Sequence, residues 1–425
     1  MVKLFPHQEA ALKSTEGQNR VAYFHDMGTG KTFTGAEKAI RMDSKHILVV
    51  CQKSKVQDWV DHFIQNYPEL YVFNLTIKKE LLSFTQWFED PTGTVNVAVI
   101  NYDLIWRRKE LLTLKDFTLI LDESSLIQNR KSNRCKFILK MEPKNVILLS
   151  GSPVGGKYEN LWSQLHLLGW GISEKLYNAQ YVNWKNIFVG GAIHKVVNKN
   201  DPYKNVERLK QKMREHGCDF LKTEDVFDLP EQNFIHVKVP TTKEYRKFKR
   251  DHLVTVDGIE FVGDSNLSFR LYQRQLCTAY NPNKLDAFKD LLESTQDRLI
   301  VFYSFNCELE KLKSICDELG KPVSMVNGSV KDLTAYEQES DSVTLIQWQS
   351  GSMGLNLQKA NKTIYFSLTE SAEQWMQAHK RTNRIGQNRP CFYYILKCEN
   401  SIEELILDCL ERGVDFTNDL FEEGG

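Results

Sequence analysis

No stretch of the sequence approaches the ~18 uninterrupted apolar residues that a membrane span requires, and Met1 to Arg20 carries no apolar signal core. The expectation is a chain neither secreted nor membrane-anchored. Charge of one sign is not in excess either: 55 Lys and Arg stand against 55 Asp and Glu, a formal net charge of zero. Any nucleic-acid affinity must then come from local basic surface and not from bulk charge. Cysteine occurs nine times, an odd number, with no Cys-x-x-Cys pair and no Cys/His cluster at zinc spacing. That argues against a disulfide framework and suits a reducing interior, cytoplasmic, or nuclear in a eukaryote. Repeats and low-complexity tracts are missing as well. What is present is ordinary globular material, 41% hydrophobic and 26% charged over 425 residues, which exceeds one hydrophobic core and predicts two or three packed units.

Short runs dense in β-branched and aromatic residues recur at Val21–His25, His46–Cys51, Val95–Ile100, Phe117–Leu121 and Asn145–Leu149 and read as buried strands. Between them, Thr32–Met42 and Lys55–Asn66 repeat apolar positions three and four apart, the helical period. Strand–helix alternation means a parallel α/β sheet. The pattern returns at Phe234–Val239, Arg298–Ser304, Val323–Asn327, Ser342–Trp348, Lys362–Ser367 and Phe392–Lys397, so a second α/β lobe is expected. Gly155–Phe227 and Thr241–Tyr280 lack the alternation and read as mainly helical insertions, with a hinge near Asp228–Pro230. The expected organisation is an N-terminal lobe over 1–229 with an insertion at about 155–227, then a C-terminal lobe over 230–425 with an insertion at about 241–280. Ser401-Ile402-Glu403-Glu404 has the form of a capping box, opening a packing helix. Charge is uneven: His194–Arg214 holds seven Lys/Arg against two Asp/Glu, while Glu399–Gly425 holds nine acidic residues and one basic.

Asp26-Met27-Gly28-Thr29-Gly30-Lys31-Thr32 follows one strand and opens a helix, the setting of a phosphate loop. Glycines let backbone N–H groups turn toward an anion, and the helix N-terminus adds positive potential. Lys31 is placed to reach the β/γ-phosphates and Thr32 to ligate Mg²⁺. His25 stands where the usual pattern has its first glycine. A second strand ends in Asp122-Glu123, carboxylates suited to holding Mg²⁺ and to polarising the attacking water. Gln377, Arg381 and Arg384 are spaced four and three apart, predicting one helix face that would carry arginines toward a γ-phosphate.

In order along the chain, Phe5-Pro6-His7-Gln8, DMGTGKT, ILVVCQKSKVQDWV, LILDESS with the following IQNRKS, LLSGSPV, SGSMGLNLQKA and QAHKRTNRIGQ resemble the superfamily-two helicase motifs. The RIGQ ending, the IQNRKSNR stretch and the trailing SIEELIL helix resemble specifically the Swi/Snf-type ATPases, in a compact, accessory-free, phage- or bacterial-like form. The resemblance implies two RecA-like parallel-sheet lobes around an ATP cleft, each with a short helical insertion. It implies that Gln8 reads the adenine, that Gly28, Thr29, Gly30, Lys31 and Thr32 hold phosphates and Mg²⁺, and that Asp122 and Glu123 take the metal and water roles. Ser150 and Ser152 would couple ATP state to the DNA path, Gly354 and Asn356 would link the second lobe to both ligands, and Gln377, Arg381 and Arg384 would form the arginine-finger motif. For DNA, it points to Gln52, Lys53, Ser54, Asn101 and Tyr102 in the first lobe and to Ser304, Gln349 and Ser350 in the second.

The sequence departs from the family where DESS replaces DEAH, which removes a histidine that helps couple hydrolysis to DNA, and where SGSP replaces TGTP with both hydroxyls kept. Flanking chromatin-reading modules are not expected. The function expected is DNA-dependent ATP hydrolysis coupled to translocation on duplex DNA, largely independent of base sequence, with a protein partner supplying any targeting and no membrane involved. The alternatives are a strand-separating helicase and a nucleotide-gated DNA-binding switch with little turnover. No separation wedge is recognisable in the insertions, which disfavours the helicase.

Overall fold

The computed structural model describes residues 2–88, 95–350 and 355–421. They divide into two compact units, the chain up to Val226 and Phe227–Val414. The first contains β1 (Arg20–His25), β2 (His46–Cys51), β3 (Tyr71–Asn74), β4 (Asn96–Asn101), β5 (Phe117–Asp122), β6 (Asn145–Leu149), β7 (Trp184–Val189), β8 (Ala192–Val197) and β9 (Cys218–Leu221). Seven of these form one sheet in the order β3-β4-β2-β5-β6-β1-β9, with every neighbouring pair parallel.

Alternation within each strand explains why the runs read as continuously apolar. Ala22, Phe24, Leu48 and Val50 enter the core on one face of the sheet, and Val21, Tyr23, Ile47 and Val49 enter the core on the other. Helices cover both faces, so neither set of side chains meets water. Each such side chain contributes ~1.5–3 kcal/mol by burial. Because the strands are parallel, their carboxyl ends share one edge, and the register Tyr23↔Leu149 and Leu149↔Asp122 brings the exits of β1, β6 and β5 side by side.

The second unit contains β10 (Gln232–Val239), β11 (Leu253–Val256), β12 (Ile259–Val262), β13 (Leu299–Tyr303), β14 (Val323–Val326), β15 (Lys331–Asp332), β16 (Val343–Gln347), β17 (Lys362–Tyr365) and β18 (Cys391–Cys398). Its main sheet runs β10-β18-β17-β13-β16-β14-β15, parallel except for the β14–β15 pair. A buried ion pair ties helix Pro282–Glu293 to helix Ile402–Phe421: Lys284 Nζ donates to both Glu403 oxygens at 2.7 and 2.8 Å, and Cys398 N–H donates to the same carboxylate at 2.8 Å. Ser401 does not form the expected box with Glu404. Its hydroxyl donates to Cys398 O and accepts from Glu403 N–H, while Glu404 accepts from Asn400 N–H. Among the described residues, no helix is long and apolar enough to cross a membrane.

The insertions are less helical than the sequence reading has them. The first also holds the β7–β8 hairpin and β9, which joins the main sheet beside β1. Gly217 permits that pairing, since at φ +79° a Cβ there would lie 2.4 Å from Arg20 O. The second insertion holds the β11–β12 hairpin. Both hairpins turn on two residues at positive φ, Gly190-Gly191 (59° and 80°) and Asp257-Gly258 (51° and 78°), a two-residue turn signature that the helical reading passes over.

Candidate active site

The glycine loop leaves β1 and enters helix Lys31–Arg41, with Gly28 at φ 87° and Gly30 at φ 77°, both in the left-handed region that only glycine adopts freely. The loop is braced from inside: Thr29 Oγ1 and Lys31 Nζ donate to Asp26 O at 2.8 and 3.0 Å, and Phe33 N–H donates to Gly30 O at 2.9 Å. Helix Pro6–Ser14 braces it from outside. Gln8 Nε2 donates to Thr29 O at 3.3 Å and Gly30 O at 3.1 Å, Phe5 N–H donates to Gln8 Oε1 at 2.8 Å, and a His7 ring nitrogen lies 2.8 Å from Thr29 O. Gln8, for which the resemblance implies an adenine role, is thus placed against the glycine loop. Its side chain is 2% exposed and its carboxamide is committed at both ends, so it shapes the loop from behind. A Cβ at Gly30 would lie 2.4 Å from Gln8 Nε2, which makes glycine obligatory there twice over.

Two further residues support the loop, and the sequence reading missed both. His25 Nε2 and Asp219 Oδ2 are 2.6 Å apart, joining the last residue of β1 to β9. Thr223 N–H donates to Asp26 Oδ2 at 3.3 Å and its hydroxyl to Met27 O at 3.0 Å. Burial lowers the His25 pKa from its ordinary value, opposed by the hydrogen bond and charge of Asp219. The available signal was the short apolar run Cys218–Leu221 behind Gly217, masked by the helical stretch before it.

At the end of β5, Asp122 Oδ2 accepts from Trp59 Nε1 at 2.8 Å. Burial raises its pKa, opposed by the Trp59 donor and then by the charges of Lys31 and Lys55. Tyr102 donates its hydroxyl to Asp122 O at 3.0 Å, and the backbone of Glu123 takes a left-handed conformation at φ 55°. A half-buried carboxylate two strands from an ammonium-bearing glycine loop is a donor set that suits Mg·ATP. Thr32, in the first helical turn, and Asp122 supply the hard oxygens a small divalent cation prefers.

The Ser150–Ser152 turn at the end of β6 packs against the same loop: a Cβ at Gly151 would lie 3.5 Å from Lys31 Nζ and 3.4 Å from Met27 Cγ. Ser150 and Ser152 are buried, and Ser152 N–H donates to Ser150 Oγ at 3.2 Å. Gln164 then ties this turn to the carboxylates, accepting from Ser124 Oγ at 2.7 Å and donating to Pro153 O at 2.7 Å.

Of the expected DNA residues in this unit, Lys53 and Ser54 are exposed and Gln52 is half-buried beyond the end of β2. Asn101, 6% exposed, and Tyr102, 2% exposed, are not available as side-chain contacts, and Tyr102 instead fixes the carboxylate turn. In the second unit Gln349 is exposed, Ser350 is 3% exposed, and Ser304 Oγ accepts from Arg274 Nη2 at 3.2 Å and from Ser367 Oγ at 3.0 Å.

The predicted helix face of Gln377, Arg381 and Arg384 does not exist. Helix Ala372–His379 ends before the arginines, and turns carry Arg381 and Arg384. Polar anchors end the helix: Thr382 Oγ1 lies 3.1 Å from Tyr393 OH, Asn383 Nδ2 donates to Pro230 O at 2.7 Å, and Gly386 sits at φ 94°. Arg381 is 3% exposed, whereas half-buried Arg384 donates to the Asn356 side chain, so two expected site residues do meet. Gln377 is buried and donates to Glu373 at 3.4 Å. Gly354 lies outside the described residues.

The SNF2-related domain family model matches residues 12–281, and the helicase conserved C-terminal domain matches 283–386. The chain belongs to the SNF2-related family. Relatives include a mouse SWI/SNF-related matrix-associated actin-dependent regulator of chromatin, subfamily A member 1, 22% identical over 94% of this chain and 41% of its own length. An Arabidopsis thaliana probable ATP-dependent DNA helicase, CHR12, is 24% identical over 92% of this chain and 39% of its own length. The chain thus spans about two fifths of these SNF2-related relatives. A solved structure, the Sulfolobus solfataricus SWI2/SNF2 ATPase core in complex with dsDNA, aligns over 99% of this chain and 92% of that chain at 19% identity and TM-score 0.43, a likeness too loose to carry a conclusion.

Proposed function

We propose that this SNF2-related chain is a DNA-stimulated ATP hydrolase that moves along duplex DNA. The observation that carries the reading is the placement of Lys31 in a glycine loop braced on two sides, beside a strand end that presents Asp122 and Glu123. Lys31 would exchange its bond to Asp26 O for phosphate oxygens, and Thr32 and Asp122 would hold Mg²⁺, whose charge would offset that of the phosphates. Glu123 orients the attacking water, and Arg384, steered by Asn356, supplies positive charge as the transition state forms. Lys53, Ser54 and Gln349 offer polar groups to phosphates, so DNA affinity is electrostatic and indifferent to base sequence.

The test is ATP hydrolysis with and without duplex DNA, with DNA affinity measured over a range of salt. Steeply falling affinity with rising salt supports the phosphate reading. Strong preference for one sequence over a scrambled duplex overturns it.

A further inference from the structure

The β7–β8 hairpin carries chemistry that neither the nucleotide site nor the core uses. Its register pairs Trp184 with Val197, Asn186 with Lys195 and Phe188 with Ile193, and paired residues share a face. One face therefore runs Trp184 and Val197 near the base, Asn186 and Lys195 in the middle, and Phe188 with Ile193 at the Gly190-Gly191 tip. Phe188 is 74% exposed and Ile193 72%, two large apolar side chains directly opposite each other in solvent. Lys195 Nζ sits 5.3 Å over the Trp184 ring. The strands are six residues each, so the arm projects about 20 Å.

Charge indicates what meets this arm. The arm itself, residues 184–197, contains Lys185, Lys195 and His194 and no Asp or Glu. In a chain of zero net charge, that is a locally cationic arm with an apolar tip. Phosphates satisfy the lysines, and bases satisfy Phe188 and Ile193, because an aromatic face stacks on any base. An intact duplex hides its base faces in the stack, whereas DNA at a junction between duplex and single strand offers both groups at once.

We propose that the β7–β8 hairpin is a DNA junction pin, in which Phe188 and Ile193 pack against the first exposed bases of a fork while Lys195, on the same face, holds the adjoining backbone. The proposal rests on the reading of the chain as a DNA-acting ATPase, and it supplies the wedge that the sequence did not reveal.

The experiment is a fluorescence-anisotropy titration of the full chain against a forked duplex and a blunt duplex of equal length at fixed salt. The proteins compared are wild type, Phe188→Ala/Ile193→Ala and Phe188→Trp. Wild type binds the fork more tightly than the blunt duplex. The double alanine variant, with melting temperature unchanged, loses about tenfold in fork affinity and little in blunt-duplex affinity, and Phe188→Trp keeps the fork preference. Unchanged fork affinity in the double variant overturns the pin and leaves the DNA reading intact, as does equal loss on both substrates. A wild-type dimer that the double variant turns into a monomer, with DNA binding unaffected, overturns it in favour of a second copy of the chain. Wild type that binds neither DNA overturns the parent reading and the pin together.

Discussion

The hydroxyl of Ser124 donates to Gln164 Oε1 at 2.7 Å, and both groups are fully buried. The other end of the same carboxamide donates to Pro153 O at 2.7 Å, so one side chain fixes the distance between the DESS turn and the SGSP turn. Those turns carry, respectively, the proposed metal and water residues and the proposed coupling hydroxyls. Where DEAH motifs use a histidine for coupling, this chain has a glutamine from helix Trp162–Leu167 in contact with both turns.

Gln164→Leu is predicted to lower stability by ~1–3 kcal/mol, the cost of leaving buried Ser124 unpartnered. The same change is predicted to shrink the ratio of ATPase rates with and without DNA. Ser124→Ala/Gln164→Leu recovers much of the stability, because both polar partners are gone, but not the ratio. Urea unfolding and paired rate measurements check this. A ratio equal to wild type in the single variant removes Gln164 from coupling.

Much of this was legible in the sequence. Both main sheets follow from apolar runs buried on two faces, and the glycine loop and Asp122 stand where strand–loop–helix reading places them. What was not legible depended on distant partners. The commitment of Gln8 to Thr29 and Gly30 and of Tyr102 to Asp122 arises from packing between elements far apart in the chain. The period-based placement of Arg381 and Arg384 failed because Thr382, Asn383 and Gly386 anchor turns that a spacing count cannot see. Cys218–Leu221 hid as a strand because four residues behind a basic helix show no period of their own.

Burial raises the Asp122 pKa against the charges of Lys31 and Lys55, so its ionised form costs folded-state stability when no Mg²⁺ offsets it. Asp122→Asn keeps an acceptor for Trp59 and is predicted to raise the melting temperature measured without Mg·ATP by roughly 2 °C, while abolishing turnover. The sign follows from the direction of the shift. A raised folded-state pKa gives stability at low pH that is lost as pH rises through it, so the advantage of the asparagine variant shrinks as the buffer is acidified. An advantage that grows toward acid contradicts the assignment.

Glu123→Gln is predicted to leave nucleotide affinity near wild type and to cut kcat by on the order of 10² to 10⁴, the usual worth of a positioned acid or base. Lys31→Ala weakens both, since an ammonium on phosphate acts in ground and transition states. Fluorescent-nucleotide binding beside steady-state hydrolysis separates the two. Wild-type-like turnover by Glu123→Gln removes it from the water role.

The two arginines are predicted to behave differently. Arg384→Ala, at a half-buried position beside Asn356, lowers kcat by on the order of 10³ with DNA affinity nearly unchanged. Arg381→Ala, at a 3% exposed position, lowers thermal stability as well as rate. A DNA titration of each variant's ATPase rate decides. Recovery of the Arg384→Ala rate at saturating DNA moves that residue from the phosphate to the DNA path.

The central claim is that Lys31, Asp122 and Glu123 hydrolyse ATP under the control of DNA. Its most direct test is the phosphate-release rate of the purified chain at saturating Mg·ATP, titrated with duplex DNA and repeated with Glu123→Gln as the blank. The expected outcome is a low rate without DNA, a saturable rise with duplex of any sequence, and no rise in the variant. A wild-type rate that is the same at every duplex concentration, or one that Glu123→Gln shares, contradicts it.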